Sequence, residues 1–305
     1  MNHGYMGGAI RAYPSCSISV LASSFIANSA YNGGAILVES DSTANVENSY
    51  FTLNSVGYAG GAIRVTDEST ASISSSSFLS NSASVQGGAI NVNSESSLVL
   101  SESTLDSSTS TEGGAIGVYT DASVNVADST FQSSEANVKG GSLYVDQSSL
   151  SVQRSSFEHG SATTGSVIAL SGSDASISAS NFWHNSATNE GGALSLSAST
   201  ASIAESSFSH CSAGLYGGSV YVQYGSTVSL SQTMFSHSTA GQSGGAIHIQ
   251  DEGSVDLLHA TFIFNSAEYG GGIYIMNSGG TVTLEATAFG SNEAAGYGVD
   301  MFNDV

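Results

Sequence analysis

The chain has 305 residues, 40% of them hydrophobic, with 25 Asp and Glu against 4 Lys and Arg and a formal net charge of −21. Such a balance argues against nucleic acid and anionic membrane partners, leaves cations, glycans and basic protein patches, and helps keep a long β structure soluble. No apolar run approaches the ~18 residues of a membrane-crossing helix, so no direct membrane insertion is expected of this segment. The start, Met1-Asn2-His3-Gly4-Tyr5, lacks the basic and apolar parts of an export signal.

The first organised stretch is Phe25-Ile-Ala-Asn28-Ser-Ala30-Tyr-Asn-Gly33-Gly34-Ala35-Ile36, and the phrase returns down the chain. Its aromatic column runs Phe25, Phe51, Phe78, Leu105, Phe131, Phe157, Phe182, Phe208, Phe235, Phe262 and Phe289, in steps of 25 to 27 residues. No linker interrupts it, so residues 1–305 read as one repeat domain of about eleven coils.

Within a coil, period-two alternation marks half-buried strands. One strand follows the glycines (Ile36 and Val38, Ile63 and Val65, Ile90 and Val92). A second precedes the aromatic (Ala71 and Ile73, Leu98 and Leu100, Val124 and Val126). A third holds the aromatic, with Ser49, Ser76, Ser103, Ser129, Ser155 and Ser206 two residues earlier on the same side. Three strands per coil without helical periodicity predict an all-β, single-stranded, right-handed parallel β-helix.

Each repeated position then has an interior task. Stacked Phe rings bury large areas at ~4.8 Å steps. Asn28, Asn54, Asn81, Asn185, Asn265 and Asn292 are expected to form an amide ladder. Ser108, Ser134, Ser238 and Cys211 replace it with small groups, and Gly160 is expected to leave a gap. Ala30 and its equivalents are expected to keep a corner thin, and the paired glycines to turn the tightest one. Thr164-Gly165 is a weak copy, so the least regular coil is expected between about 157 and 170. Cys16 and Cys211 lie about seven coils, ~34 Å, apart and cannot pair within one rod. The chain opens on Gly7-Gly8-Ala9-Ile10 and closes on Gly298-Val299-Asp300-Met301 without a visible cap. It therefore reads as a slice of a longer array, or as a unit that stacks end to end.

Gly-Gly-Ala-Ile at 7–10, 33–36, 60–63, 87–90, 113–116 and 244–247, Gly-Gly-Ala-Leu at 191–194, and Phe-x-x-Asn at six aromatic positions occur in phase. This pairing resembles the repeat of the chlamydial polymorphic outer membrane proteins over nearly the whole chain. The resemblance implies a β-helical autotransporter passenger, displayed on the outer membrane as an adhesin. The chain lacks the family's C-terminal barrel of alternating strands, and the resemblance assigns no partner to particular residues.

Candidate functional positions lie where the repeats differ. His159, His184, His210 and His237 each fall two residues after the aromatic on consecutive coils. Stacked imidazoles could share Zn²⁺ or Cu²⁺, or repel one another on protonation; local duplication of a tolerated turn residue explains the same column. Glu39, Asp41, Asp67, Glu68, Glu95, Asp121, Asp146, Asp174, Asp251 and Glu252 gather after the first strand. They read as solvated turn charges rather than a calcium column. Tyr31, Tyr58, Tyr216, Tyr269 and Tyr297 precede the glycine corner, and Tyr144, Tyr221 and Tyr274 are expected on the outer face beside it. With Trp183 they offer stacking surfaces for sugars or protein. Only Arg11, Arg64, Lys139 and Arg154 are basic, no inserted loop builds a cleft, and no Ser-His-Asp motif stands out, so neither an enzyme nor a cofactor is expected.

The sequence thus points to a non-enzymatic extracellular or cell-surface repeat protein, an adhesin-like stalk presenting a repetitive face to a protein or glycan ligand. The alternative is a subunit of a surface filament, self-associating end to end.

Overall fold

A computed structural model describes residues 3–276 and 279–304. It contains two compact units, residues 1–151 and 152–305. Both are parallel β-solenoids, and together they make about eleven turns.

Four strands, not three, make each coil. In the first unit a typical set is Ser29–Asn32, Ile36–Val38, Thr43–Glu47 and Tyr50–Thr52; in the second it is Ser186–Glu190, Leu194–Ser197, Thr200–Ala204 and Ser207–Ser209. Each pairs in parallel with its equivalent one coil on, in four sheets. The additional strand is the Ser-Ala segment, read from sequence as a thin corner. Two of its residues pair in register, Ser29 with Ser55 and Ala30 with Val56. In many coils it holds only two residues, too short for a period-two signature.

Three of the four corners follow one rule. A residue in the left-handed region precedes a small, buried polar residue: Asp41 (φ 58°) before Ser42, Asn48 (φ 50°) before Ser49, Leu53 (φ 56°) before Asn54. The turn takes the backbone out of the sheet ladder, and the buried side chain of the next coil accepts its N–H. Ser42 N–H donates to Ser69 Oγ and Ser49 N–H to Ser76 Oγ, both at 3.1 Å. Asn54 N–H donates to Asn81 Oδ1 at 3.0 Å. The Asn54 amide nitrogen also donates to Asn81 Oδ1 and back to the Phe25 carbonyl, each at 3.0 Å. Two serine ladders therefore accompany the expected amide ladder and satisfy the backbone donors at these corners, although Ser108, in the amide slot after Asn81, leaves its buried Oγ without a hydrogen bond. In the second unit Ser173→Ser199→Ser226 and Ser155→Ser180→Ser206 repeat the pattern.

The fourth corner uses both glycines, for different reasons. Gly60 has φ 71°, where other residues are strained. Gly61 needs its missing side chain, because a Cβ would lie 1.9 Å from the Gly88 carbonyl oxygen of the next coil.

The aromatic column is interior. Phe51, Phe78 and Phe131 in the first unit, and Phe157, Phe182, Phe208, Phe235 and Phe262 in the second, are fully buried, Phe25 nearly so, and Phe289 half-buried. Ring centroids stand 4.5–5.0 Å apart within 15° of parallel. Each buried ring contributes roughly 2–3 kcal/mol by area alone. Asn28, Asn54, Asn81, Asn185, Asn265 and Asn292 are all buried beside it.

Two local expectations fail. Gly160 leaves no gap: a Cβ there would come within 2.8 Å of the Ser166 carbonyl, and its N–H donates to Asn185 Oδ1 at 2.8 Å. Nor is the coil at 157–170 unusually irregular. Its register shift between Ala162 and Thr164 recurs at Ala30/Asn32 and Ser110/Glu112, and Gly165 keeps the left-handed turn.

Candidate functional site

The position two residues after the aromatic is the left-handed residue of the amide-ladder corner. In the second unit it holds His159, His184, His210 and His237, with φ between 52° and 55°, followed by Phe264 at 57°. All five are exposed. Histidine is among the few non-glycine residues enriched in this region, and the corner turns each ring out of the coil. The rings form a stack: His159–His184 5.7 Å, His184–His210 4.8 Å, His210–His237 4.8 Å and His237–Phe264 5.0 Å between centroids. Trp183 packs edge-on against His184 at 4.2 Å and His159 at 5.6 Å, and remains 43% exposed. Ser209 Oγ bonds His210 Nδ1 at 2.8 Å. Desolvation within the stack, and then the charges of His184 and His237, hold the His210 imidazole below its usual range.

This geometry is a rib of rings lying face to face. Among the described residues no group of three or more His, Cys, Asp or Glu is arranged to hold a metal ion. The acidic turns are likewise spread along the corners. Asp41, Asp67, Glu68, Glu95, Asp121, Asp251 and Glu252 occupy left-handed positions, while Glu39 is buried and paired with Arg11. Asp146 is half-buried and Asp174 exposed.

The tyrosines divide differently from the sequence expectation. Tyr31 and Tyr297 are exposed, at 47% and 69%, and Tyr31 stacks on Tyr58 at 6.0 Å. Tyr144, Tyr221 and Tyr274, expected on the outer face, are buried at 6%, 2% and 9% exposure. They sit four residues after the first glycine of each pair and point away from the coil interior, but the residue just before that glycine folds over Tyr144 and Tyr221, while Tyr274 is covered between His248 and Phe302 at 5.0 and 5.6 Å. Lys139 Nζ lies 5.6 Å over the Tyr144 ring, and Tyr216 covers Tyr221 and His248 at 6.2 and 4.8 Å. A second buried column thus runs outside the main interior. It holds Leu37, a half-buried Arg64, Asn91, Gly117 and Tyr144 in the first unit, and Ala169, Ser195, Tyr221, His248 and Tyr274 in the second. Sequence reasoning missed it; the available signal was an outward slot that takes Tyr at 144, 221 and 274 but Ser only at 195.

Two polar groups in this column are unusual. Asn91 is fully buried, and neither its Oδ1 nor its Nδ2 has a hydrogen-bond partner. His248 is buried in a chain of bonds: Ser243 Oγ to Nδ1 at 2.9 Å, Nε2 to Gln250 Oε1 at 3.3 Å, and Gln250 Nε2 to Asp251 Oδ2 at 2.9 Å. The carboxylate fixes the amide orientation, so Nε2 carries the proton and Nδ1 accepts from the serine hydroxyl. Burial lowers the His248 pKa to about 4. Cys211, in the amide-ladder slot, donates weakly to the Phe182 carbonyl at 3.7 Å, and burial raises its thiol to about 12.

The fold and its ladders define a single-stranded parallel β-solenoid with one side chain of each kind per coil on its exterior. Residues 115–304 match the family described as right handed beta helix region, and the chain belongs to that family. Residues 75–93, spanning Phe78, Asn81 and the glycine pair Gly87-Gly88, match the Chlamydia polymorphic membrane protein repeat. No curated protein and no solved structure matches the chain. The two families suggest a surface-exposed, autotransporter-like passenger, although the β-helix fold also occurs in enzymes.

Proposed function

We propose that the chain is a non-enzymatic display scaffold at the cell surface or outside it: an adhesin-like passenger or stalk that presents outward columns to a protein or glycan ligand. The observation that carries this reading is the division of labour within a coil. Interior positions repeat as ladders of Phe, Asn and Ser, whereas the outward positions change from coil to coil and are spaced by one strand. A catalytic site needs acid, base and substrate contacts converging on one point. This exterior spreads its polar groups along a line, which suits recognition of an extended or repetitive partner. The match to the polymorphic membrane protein repeat supports a place on the outer surface.

Protease shaving of intact source cells, probed with an antibody to this chain, tests the reading. Loss of the full-length signal before lysis supports it, and protection until lysis overturns it. Electron microscopy of the purified protein at rising concentration tests the display role separately. Persistent single particles support it, whereas filaments would assign the chain to a structural fibre.

A further inference from the structure

The outer face of the aromatic strand, with the corner that follows it, differs in charge from the rest of the second unit. From one residue before each aromatic to two after, residues 156–159, 181–184, 207–210, 234–237, 261–264 and 288–291 contain a single carboxylate, Glu158. The other eleven carboxylates after residue 152 lie elsewhere along the coil. Glu158 is itself held by Ser156 Oγ at 3.0 Å. Four imidazoles stack on this face over roughly 15 Å. His210 has its Nδ1 engaged by Ser209, and Ser236 Oγ reaches Ser209 Oγ at 3.2 Å. A line of hydroxyl and imidazole groups therefore runs along the coils.

We propose that the His159–His184–His210–His237 rib is a proton-gated binding site for a linear sulfated polysaccharide. The total charge of −21 argues against any polyanion, but charges further away than about 8 Å are largely screened at physiological salt. What an anionic chain meets locally is four groups that can become cationic and one carboxylate. Glu158 is the only titratable neighbour on the aromatic strands themselves. The strands that follow carry only Glu190, at the far end of Ser186–Glu190, and Glu293, in Glu293–Ala294 beyond the four imidazoles. The corner before the aromatic strand carries Arg154, Glu205 and His259, on the opposite side of that strand. At His210, between His184 and His237, desolvation and then the charges of its two neighbours disfavour protonation. Sulfate groups laid along the rib relieve that repulsion, so proton uptake and binding favour each other. The ~5 Å spacing of the rib suits a polymer with an anionic group on successive sugars, and the rings offer edges rather than open faces, which disfavours stacked nucleobases.

This inference names a partner class for the display reading. It is tested on purified protein, so its failure and a failure of surface localisation are separable. The test is binding to immobilised heparin at pH 5.5 and 7.5 at fixed ionic strength, with desulfated heparin, neutral dextran and a single-stranded RNA as comparators. The expected result is clear retention at pH 5.5, at least tenfold weaker binding at pH 7.5, and no retention on dextran or desulfated heparin. The double variant His184→Gln/His210→Gln should lose about tenfold at pH 5.5, as two screened charge contacts would supply, with an unchanged melting profile. Should that variant unfold, the exposed single variant His237→Gln gives the same comparison at smaller amplitude. Absence of heparin binding at pH 5.5, binding unaffected by loss of the imidazoles, or tighter capture by RNA than by heparin overturns the proposal.

Discussion

At the corner after the aromatic strand the first unit carries Ala27, Leu53, Ser80, Ser107 and Ser133, and the second carries His159, His184, His210, His237 and Phe264. The backbone is the same in both, with φ between 49° and 57° at every one of these positions. The beginning of the first unit instead exposes Ile26, Tyr50, Leu53 and Leu79 on this face, at 41–62%. The difference teaches that the corner dictates a conformation and leaves the side chain free. Interior identity is dictated by ladders that must be satisfied coil by coil, while exterior identity reflects use. The outer buried column adds a second contrast, with Asn91 unpartnered in the first unit and His248 fully bonded in the second.

The strongest test of the shared interior is to break it in each unit by the same change. Gly61→Ala places a Cβ 1.9 Å from the Gly88 carbonyl oxygen, and Gly218→Ala places one 2.1 Å from that of Gly245. Neither backbone oxygen can retreat without opening the sheet, so each variant should lose at least about 4 kcal/mol. Gly225→Ala is the control. Unlike Gly61 and Gly218 it has positive φ, at 67°, but nothing lies within 4 Å of the new atom, so only local strain of about 1–2 kcal/mol applies. Urea denaturation should rank the three accordingly. Comparable losses for Gly225→Ala and Gly61→Ala would mean that the backbone of the next coil yields to the new Cβ at little cost, and that close approach does not govern the corner.

The next contrast is set by pH. Burial holds His248 at about 4 against an ordinary 6.5. The folded chain therefore stays neutral there while the unfolded chain binds a proton. The stability contributed by this group is complete above pH 6.5 and is lost as pH falls toward 4, by about 3 kcal/mol in all. Asn91, in the same column of the first unit, carries no such dependence. Carboxylates titrate over the same range, so the useful quantity is the difference between the wild type and His248→Leu. That difference should move in favour of the variant between pH 7 and pH 4. A gap that stays constant across this range would show that His248 keeps its charge state on unfolding.

Much of this interior was legible in the sequence, because ladder residues recur at one period and their chemistry admits few alternatives. Phe51, Asn54 and Gly60-Gly61 could be assigned their places before any coordinates. The Ser-Ala strand was not legible, since Ser82–Ala83 is too short to show alternation. The left-handed corners were hidden because Asp41, Asn48, Leu53 and His184 announce no common residue type; only the buried Ser or Asn behind each one repeats. The outer column was misread for a related reason. Alternation says that Tyr221 points out of the coil, and it does, but alternation cannot say that Tyr216 folds back over it. The histidine rib was visible as a column, and its stacking followed from strand spacing. Its isolation from carboxylates became visible only once the corners were placed.

A smaller effect should distinguish the outer column as it runs through the two units. Asn91 lies between Arg64 and Gly117 in register and has two buried atoms without partners. Leu37, two coils earlier in the same slot, is equally buried. Asn91→Leu should therefore stabilise the chain by about 1 kcal/mol, by replacing unsatisfied polar atoms with apolar ones of similar volume. Chemical denaturation of the two proteins measures it. A loss of stability would imply that Asn91 is hydrogen-bonded to buried water worth more than the cavity it occupies.

The least perturbing comparison leaves stability untouched and reads the rib itself. Trp183 is the single tryptophan of the chain, and its ring lies 4.2 Å from His184 and 5.6 Å from His159. A protonated imidazole in edge contact with an indole is an efficient quencher, whereas a neutral one is a weak one. Excited at 295 nm, the protein should therefore lose emission as pH falls while its circular dichroism stays constant. His184→Gln should remove most of the change, and His237→Gln, two coils away from Trp183, should leave its amplitude nearly intact while easing the midpoint upward. That last shift is the informative one. It arises only if the imidazoles feel one another through the stack, as the charges of His184 and His237 do, after desolvation, in holding His210 below its usual range. A midpoint unmoved by His237→Gln would reduce the rib to four independent side chains and remove the physical basis for coupling proton uptake to a ligand laid along it.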